Sequence, residues 1–184
     1  MDASSGRLLW RYDEPAAGSA ANIPSPIAAG SDVFAATNQA GGGLVRVTGA
    51  GTQLTAAPLY FAKRLGVGPG GAVKVGDTVY GSTQQGLQAM DWASGEIRWQ
   101  QRGIGAASIA AVGDRLYLHG ENGDVALVDA SPAGYQERGR FTPAEKPELG
   151  QAKAWAHPVV ANGRLYLRQA NVLWSYDVAS PAGR

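Results

Sequence analysis

The chain reads as an all-β protein, and three observations predict that class. Glycine is abundant, at 26 of 184 residues, and it punctuates short alternating segments such as AVKV, TVYGST, GLQAMD and EIRWQQ. That alternation is the grammar of half-buried strands and tight turns. No extended window keeps apolar residues at i, i+3, i+4 and i+7, so no substantial helix is expected. The segments also recur as a unit: a small-residue strand, a Gly-Asp or Asn-Gly type turn, a strand with a central aromatic, then one or two further strands. Four-stranded meanders repeating about every 40 to 50 residues are the signature of β-propeller blades. The expected architecture is therefore a β-propeller of four-stranded blades, four to the chain, forming one domain over residues 1–184.

The first blade opens with PSPIAAGSDVFAAT (24–37) and continues through GLVRVT and TAAPLYFAK; it is the most divergent of the set. The second comprises GGAVKVGDTVYGST (70–83), GLQAMD and GEIRWQQ. The third comprises ASIAAVGDRLYLHG (107–120), GDVALVD and YQERGRF, with Pro132 in its last turn and no tryptophan. The fourth, HPVVANGRLYLRQA (157–170) and NVLWSYD, has no fourth strand after it. At the other end, MDASSGRLLWRYDE carries the Asp, Ser-Gly, Trp spacing of DWASGEIRW. Residues 1–12 are accordingly expected to be an outer strand that completes the last blade.

The stretch AMDWASGEIRW (89–99) joins a third strand to a fourth. Asp91 can accept hydrogen bonds from amides of the following turn, Ser94 can do so more weakly, and Gly95 can take the positive φ of a short hairpin loop. Ala89 leaves room for close packing, and Trp99 offers a large flat apolar surface to a neighbouring sheet. Asp2, Gly6 and Trp10 repeat the pattern. The spacing A-x-D-x-x-S-G-E-x-x-W resembles the tryptophan-docking motif of the pyrroloquinoline quinone (PQQ)-like repeat β-propellers. That family includes quinoprotein dehydrogenases and BamB-like outer-membrane assembly lipoproteins. The resemblance extends over essentially the whole chain and is clearest from residue 70 onward.

Rings in that family usually have seven or eight blades, so the resemblance implies the carboxy-terminal half of a ring, with Met1 inside a motif copy. Half a ring has open edges, which tend to pair with other chains. The expectation is a homodimer that closes an eight-bladed ring, each chain giving its first strand to the partner's last blade; the alternative is a closed four-bladed ring. The function expected is a non-catalytic scaffold that binds a protein or peptide partner. The alternative is a remnant of a PQQ-dependent dehydrogenase. Such an enzyme would require a calcium site of carboxylate and amide ligands, a catalytic aspartate and often a vicinal disulfide. The chain has no cysteine. Asp91, Asp129 and Asp177 each sit at a third-strand end, where turn capping accounts for them. No catalytic residue, cofactor or metal is expected.

Composition narrows the partners further. Sixteen basic residues against fifteen acidic ones leave a net charge of +1, so no global field favours nucleic acid or anionic lipid. No apolar run approaches the ~20 residues needed to cross a bilayer. MDASSGRLLWRYDEP lacks the basic region and apolar stretch of a signal peptide. Cytosol and periplasm both stay open on composition; the family resemblance implies bacterial periplasm or cell envelope for a full-length parent. His119 and His157 have no partner at ligand spacing. His157, before Pro158 at the start of an inner strand, and its neighbour Trp155 are the candidate binding surface. GVGPGG (66–71) lacks the Gly-Lys-Ser/Thr of a phosphate loop and reads as a blade connection. TPAEKPELGQAKA (142–154) reads as a solvated connector that could dock a partner.

Overall fold

The computed structural model describes residues 1–18, 21–144, 147 and 153–179. Among the described residues fifteen strands form four antiparallel sheets. The first blade is β1 (Ile27–Ala29), β2 (Asp32–Thr37), β3 (Gly41–Ala50) and β4 (Gln53–Ala62). The second is β5 (Ala72–Val75), β6 (Thr78–Thr83), β7 (Gly86–Asp91) and β8 (Ile97–Gln101). The third is β9 (Ala107–Val112), β10 (Arg115–Gly120), β11 (Val125–Asp129) and β12 (Glu137–Phe141). The fourth is β13 (Val159–Ala161), β14 (Arg164–Gln169) and β15 (Val172–Asp177). Each sheet is a simple meander, as expected of blades. Among the described residues the only helical turns are two short 3-10 turns, Glu14–Ala16 and Lys63–Leu65, and no helix there is long and apolar enough to cross a membrane.

Apolar side chains collect in the seams between consecutive sheets. Phe34, Leu44 and Leu65 meet Val79, Met90 and Trp92 between the first and second blades. Tyr80, Leu87 and Ala89 meet Ile109, Leu116 and Val128 between the second and third. Val125 meets Leu165 and Leu167, with Tyr117, Trp174 and Tyr176 around them, between the third and fourth. The architecture is thus close to one-dimensional, and each blade is stabilised chiefly by its neighbours. The same device recurs in each outer ladder: register shifts at Leu44/Val45, at Ala89/Met90 and at Leu127/Val128. A bulge at one fixed place adds twist and re-aims the outer strand identically in every complete blade.

The first blade diverges because β3 and β4 run on as a hairpin of two ten-residue strands, tied near its tip by the hydroxyls of Thr48 and Thr55 at 3.1 Å. The inner strands β1, β5, β9 and β13 are neighbours in that order. No comparable packing joins the fourth sheet to the first among the described residues, so the chain forms an open arc and not the closed four-bladed ring. Residues 1–12 form no β-ladder with the other described residues. The segment from Tyr12 to Pro15 lies on the outward face of the first blade. There the Tyr12 hydroxyl crowds Gly43, and Thr37 donates to the Pro15 carbonyl at 2.7 Å.

Candidate functional site

The turn after β7 is built around one carboxylate. Asp91 Oδ1 accepts the amides of Ala93 at 3.0 Å and Ser94 at 2.9 Å, and the Ser94 hydroxyl at 3.0 Å. The Gly95 amide donates to the Asp91 carbonyl at 2.9 Å and the Asp91 amide to the Glu96 carbonyl at 2.8 Å. Arg98 pairs with the other carboxylate oxygen. Gly95 takes φ +68°. Asp2 reproduces this turn: its Oδ1 accepts the amides and hydroxyls of both Ser4 and Ser5 at 2.7 to 3.0 Å. Gly6 closes it at φ +71°. The hydroxyls of Ser4 and Ser5 hold the Asp2 carboxyl well below the usual carboxylate range.

Asp129 behaves differently. Its carboxylate receives Arg138 through two nitrogens, at 2.9 and 2.6 Å, and Arg115 at 3.1 Å. The turn-capping reading therefore fits Asp91, and in part Asp177, which accepts the Ala179 amide at 3.0 Å; Asp129 is instead an ion-pair centre. Its turn, with Pro132, is longer and leaves the carboxylate to face the strand arginines.

Arg98 first, then the Ser94 amide, draws the Asp91 carboxyl from 3.8 down to about 2. A carboxyl lowered on folding contributes stability that is present above its unfolded value and lost as pH falls through the folded one. Asp91→Asn is therefore expected to lower the urea midpoint at neutral pH. The gap to the parent should shrink as pH falls from about 4 towards 2, and a pH-independent gap would contradict the assignment.

Outer-strand aromatics reach across the seams. Trp99, opposite Ala89, donates its Nε1–H to the Ser131 carbonyl of the third blade at 3.0 Å. Its ring lies 6.0 Å from Tyr80 and 6.2 Å, edge-on, from Tyr135. Tyr60, opposite Leu44, donates its hydroxyl to the Trp92 carbonyl of the second blade at 2.9 Å; burial pushes that hydroxyl up to about 12. The Tyr60 ring also lies over Gly95, where an added Cβ would come within 2.6 Å of it. Sequence reading missed Tyr60 because it departs from tryptophan. The available signal was an aromatic in the middle of a fourth-strand segment. In the third blade the corresponding residue is Gly139, opposite Leu127, and the seam is bridged instead by Phe141 against Tyr176 at 4.8 Å.

The last blade ends in an open face. Leu87, Val125 and Leu173 hold one register position, four residues before Asp91, Asp129 and Asp177. The first two are 3% and 2% exposed beneath the next blade, whereas Leu173 is 67% exposed.

Trp155 and His157 lie together on the approach to β13. Trp155 is 54% exposed, and its indole donates to Glu121 Oε1 at 3.1 Å. His157 places Nδ1 at 3.2 Å from the Ile109 carbonyl of β9, and its ring overlies Gly71 at the start of the second blade. One residue thus spans the inner strands of three blades. His119 is buried on β10 with Nδ1 at 3.2 Å from the Ala156 carbonyl. The segment GVGPGG runs from the first blade to the second, with the Gly68 amide on the Ser82 carbonyl at 2.7 Å. Most of the connector 142–154 lies outside the described residues.

Among the described residues no three of His, Asp and Glu converge as metal ligands. Asp91, Asp129 and Glu137 are each committed to arginines. The arrangement is that of an open β-propeller arc whose chemistry is concentrated in its seams and ends.

The sequence comparison agrees with that class. Residues 1–132 match the family described as outer membrane protein assembly factor BamB, and the chain belongs to this family. No curated protein sequence matches it. Among solved structures, BamB from Moraxella catarrhalis is similar, with a TM-score of 0.59 at 16% identity. The likeness takes in 84% of this chain but 43% of that one, so the chain spans less than half the length of that propeller. At this identity the likeness speaks to the fold.

Proposed function

We propose that the chain is half of a propeller ring. Two copies would close eight blades, each giving the outer strand within residues 1–12 to the partner's β13–β15 sheet. The ring would act as a non-catalytic scaffold for protein partners. The observation that carries this reading is Leu173: an apolar side chain lies bare at the register position that Leu87 and Val125 bury beneath a following blade. The folded turn at Asp2–Gly6 supports it further, since Trp10 follows that turn in sequence at the spacing at which Trp99 follows the second blade's turn. Ala89, Asp91, Gly95 and Trp99 are then blade-docking residues, and Asp2, Gly6 and Trp10 the copy that docks between chains. Trp155 and His157 form the candidate partner surface, because His157 sits where the inner strands converge. The name of the matched family, an assembly factor, favours a protein-holding role.

The test is solution mass by light scattering. The expected result is twice the chain mass, converted to a monomer by Leu173→Arg. A parent protein that stays monomeric at high concentration would sink the proposal.

A further inference from the structure

The seam between the third and fourth blades contains a space that the other two seams fill. Gly139 stands where Trp99 stands in the second blade and Tyr60 in the first, as the strand registers show. A Cβ placed at Gly139 would meet nothing within 4 Å. Beside it lies a cavity of about 430 Å³, lined by Tyr117, Leu127, Phe141, Leu165 and Val178 among others. That is within the size range of small-molecule sites, which are mostly apolar with a few polar groups.

The frame around the cavity is the frame that holds an aromatic ring elsewhere. Tyr117 is opposite Leu127 as Tyr80 is opposite Ala89, and Tyr80 is one of the two rings against Trp99. The Val178 amide bonds back to the Gly163 carbonyl at 2.8 Å, as the Trp92 amide does to Asp77 at 3.0 Å. The carbonyl of Trp92 is the one that receives Tyr60. The contact of Phe141, itself a lining residue, with Tyr176 joins the two sheets at the side of the space.

We infer that this cavity binds a free planar aromatic molecule of indole or phenol size. Its ring would lie against Tyr117 and Leu165, and its N–H or O–H would face the backbone at Val178. Gly139 leaves the approach open, since no side chain stands there.

Titration of the full chain with indole tests it. Saturable binding with a dissociation constant of roughly 0.1 to 1 mM is expected for so small a ligand. Methyl signals of Leu165 and Val178 should shift in proportion to occupancy. Gly139→Trp, whose Cβ would meet nothing within 4 Å, should abolish binding and raise Tm by roughly 3 °C or more, because its ring would occupy the space covalently. Absence of saturable binding up to the solubility limit of indole would overturn the inference. So would shifts confined to other residues, or a folded Gly139→Trp chain that binds indole as the parent does. The methyl shifts are read on the parent protein, so they decide the matter even where the variant does not fold.

Discussion

Trp99→Ala is expected to lower the free energy of unfolding by about 3 kcal/mol, near the lower end for loss of a large core aromatic. The indole lies between Tyr80 and Tyr135, at 6.0 and 6.2 Å, and ties the second blade to the third through Ser131. The effect falls near the lower end because Trp99 is only partly buried. Trp99→Phe keeps a ring in place and forfeits the hydrogen bond, for a loss of about 1 kcal/mol. Urea denaturation at fixed protein concentration checks both; a loss below about 0.5 kcal/mol for the alanine variant would mean the seam does not depend on the indole.

Gly95→Val should cost about as much by a different route. A β-branched residue at φ +68° is strained, by about 1 to 2 kcal/mol. Its Cβ would also come within 2.6 Å of the Tyr60 ring, and overpacking of that kind adds about 1 to 3 kcal/mol. Gly76→Val supplies the control: its φ is also positive, at +55°, but nothing lies within 4 Å of its Cβ. Only the backbone strain applies there. A Gly95→Val chain no less stable than Gly76→Val would remove the case for a seam contact at Gly95.

Much of this was legible in the sequence, because the properties that specify a blade are local. Strand alternation, turn glycines and the spacing from Asp91 to Trp99 depend on residues within one hairpin, and the four sheets follow them. Contacts between blades were less legible. Tyr60 replaces Trp99 with a different ring and a different donor, and its partner, Trp92, lies 32 residues away. Gly139 carries no side chain to announce what is missing. Asp129 looks like Asp91 in sequence, but its fate is decided by Arg115 and Arg138 on adjoining strands. The candidate surface at Trp155 and His157 could be placed near an inner strand from sequence. That His157 would span three blades depends on how the sheets stack.

The two ends of the arc are unlike surfaces: a bare leucine face on one side, and on the other a face covered by the segment around Tyr12 and Pro15. Joining through them is head-to-tail, and such joints close only when the rotation per chain divides a full turn; otherwise they grow into filaments. The wedge angle summed over three seams therefore counts the subunits. A slight change at the seam beside Gly139 would alter how many copies a closed ring can hold.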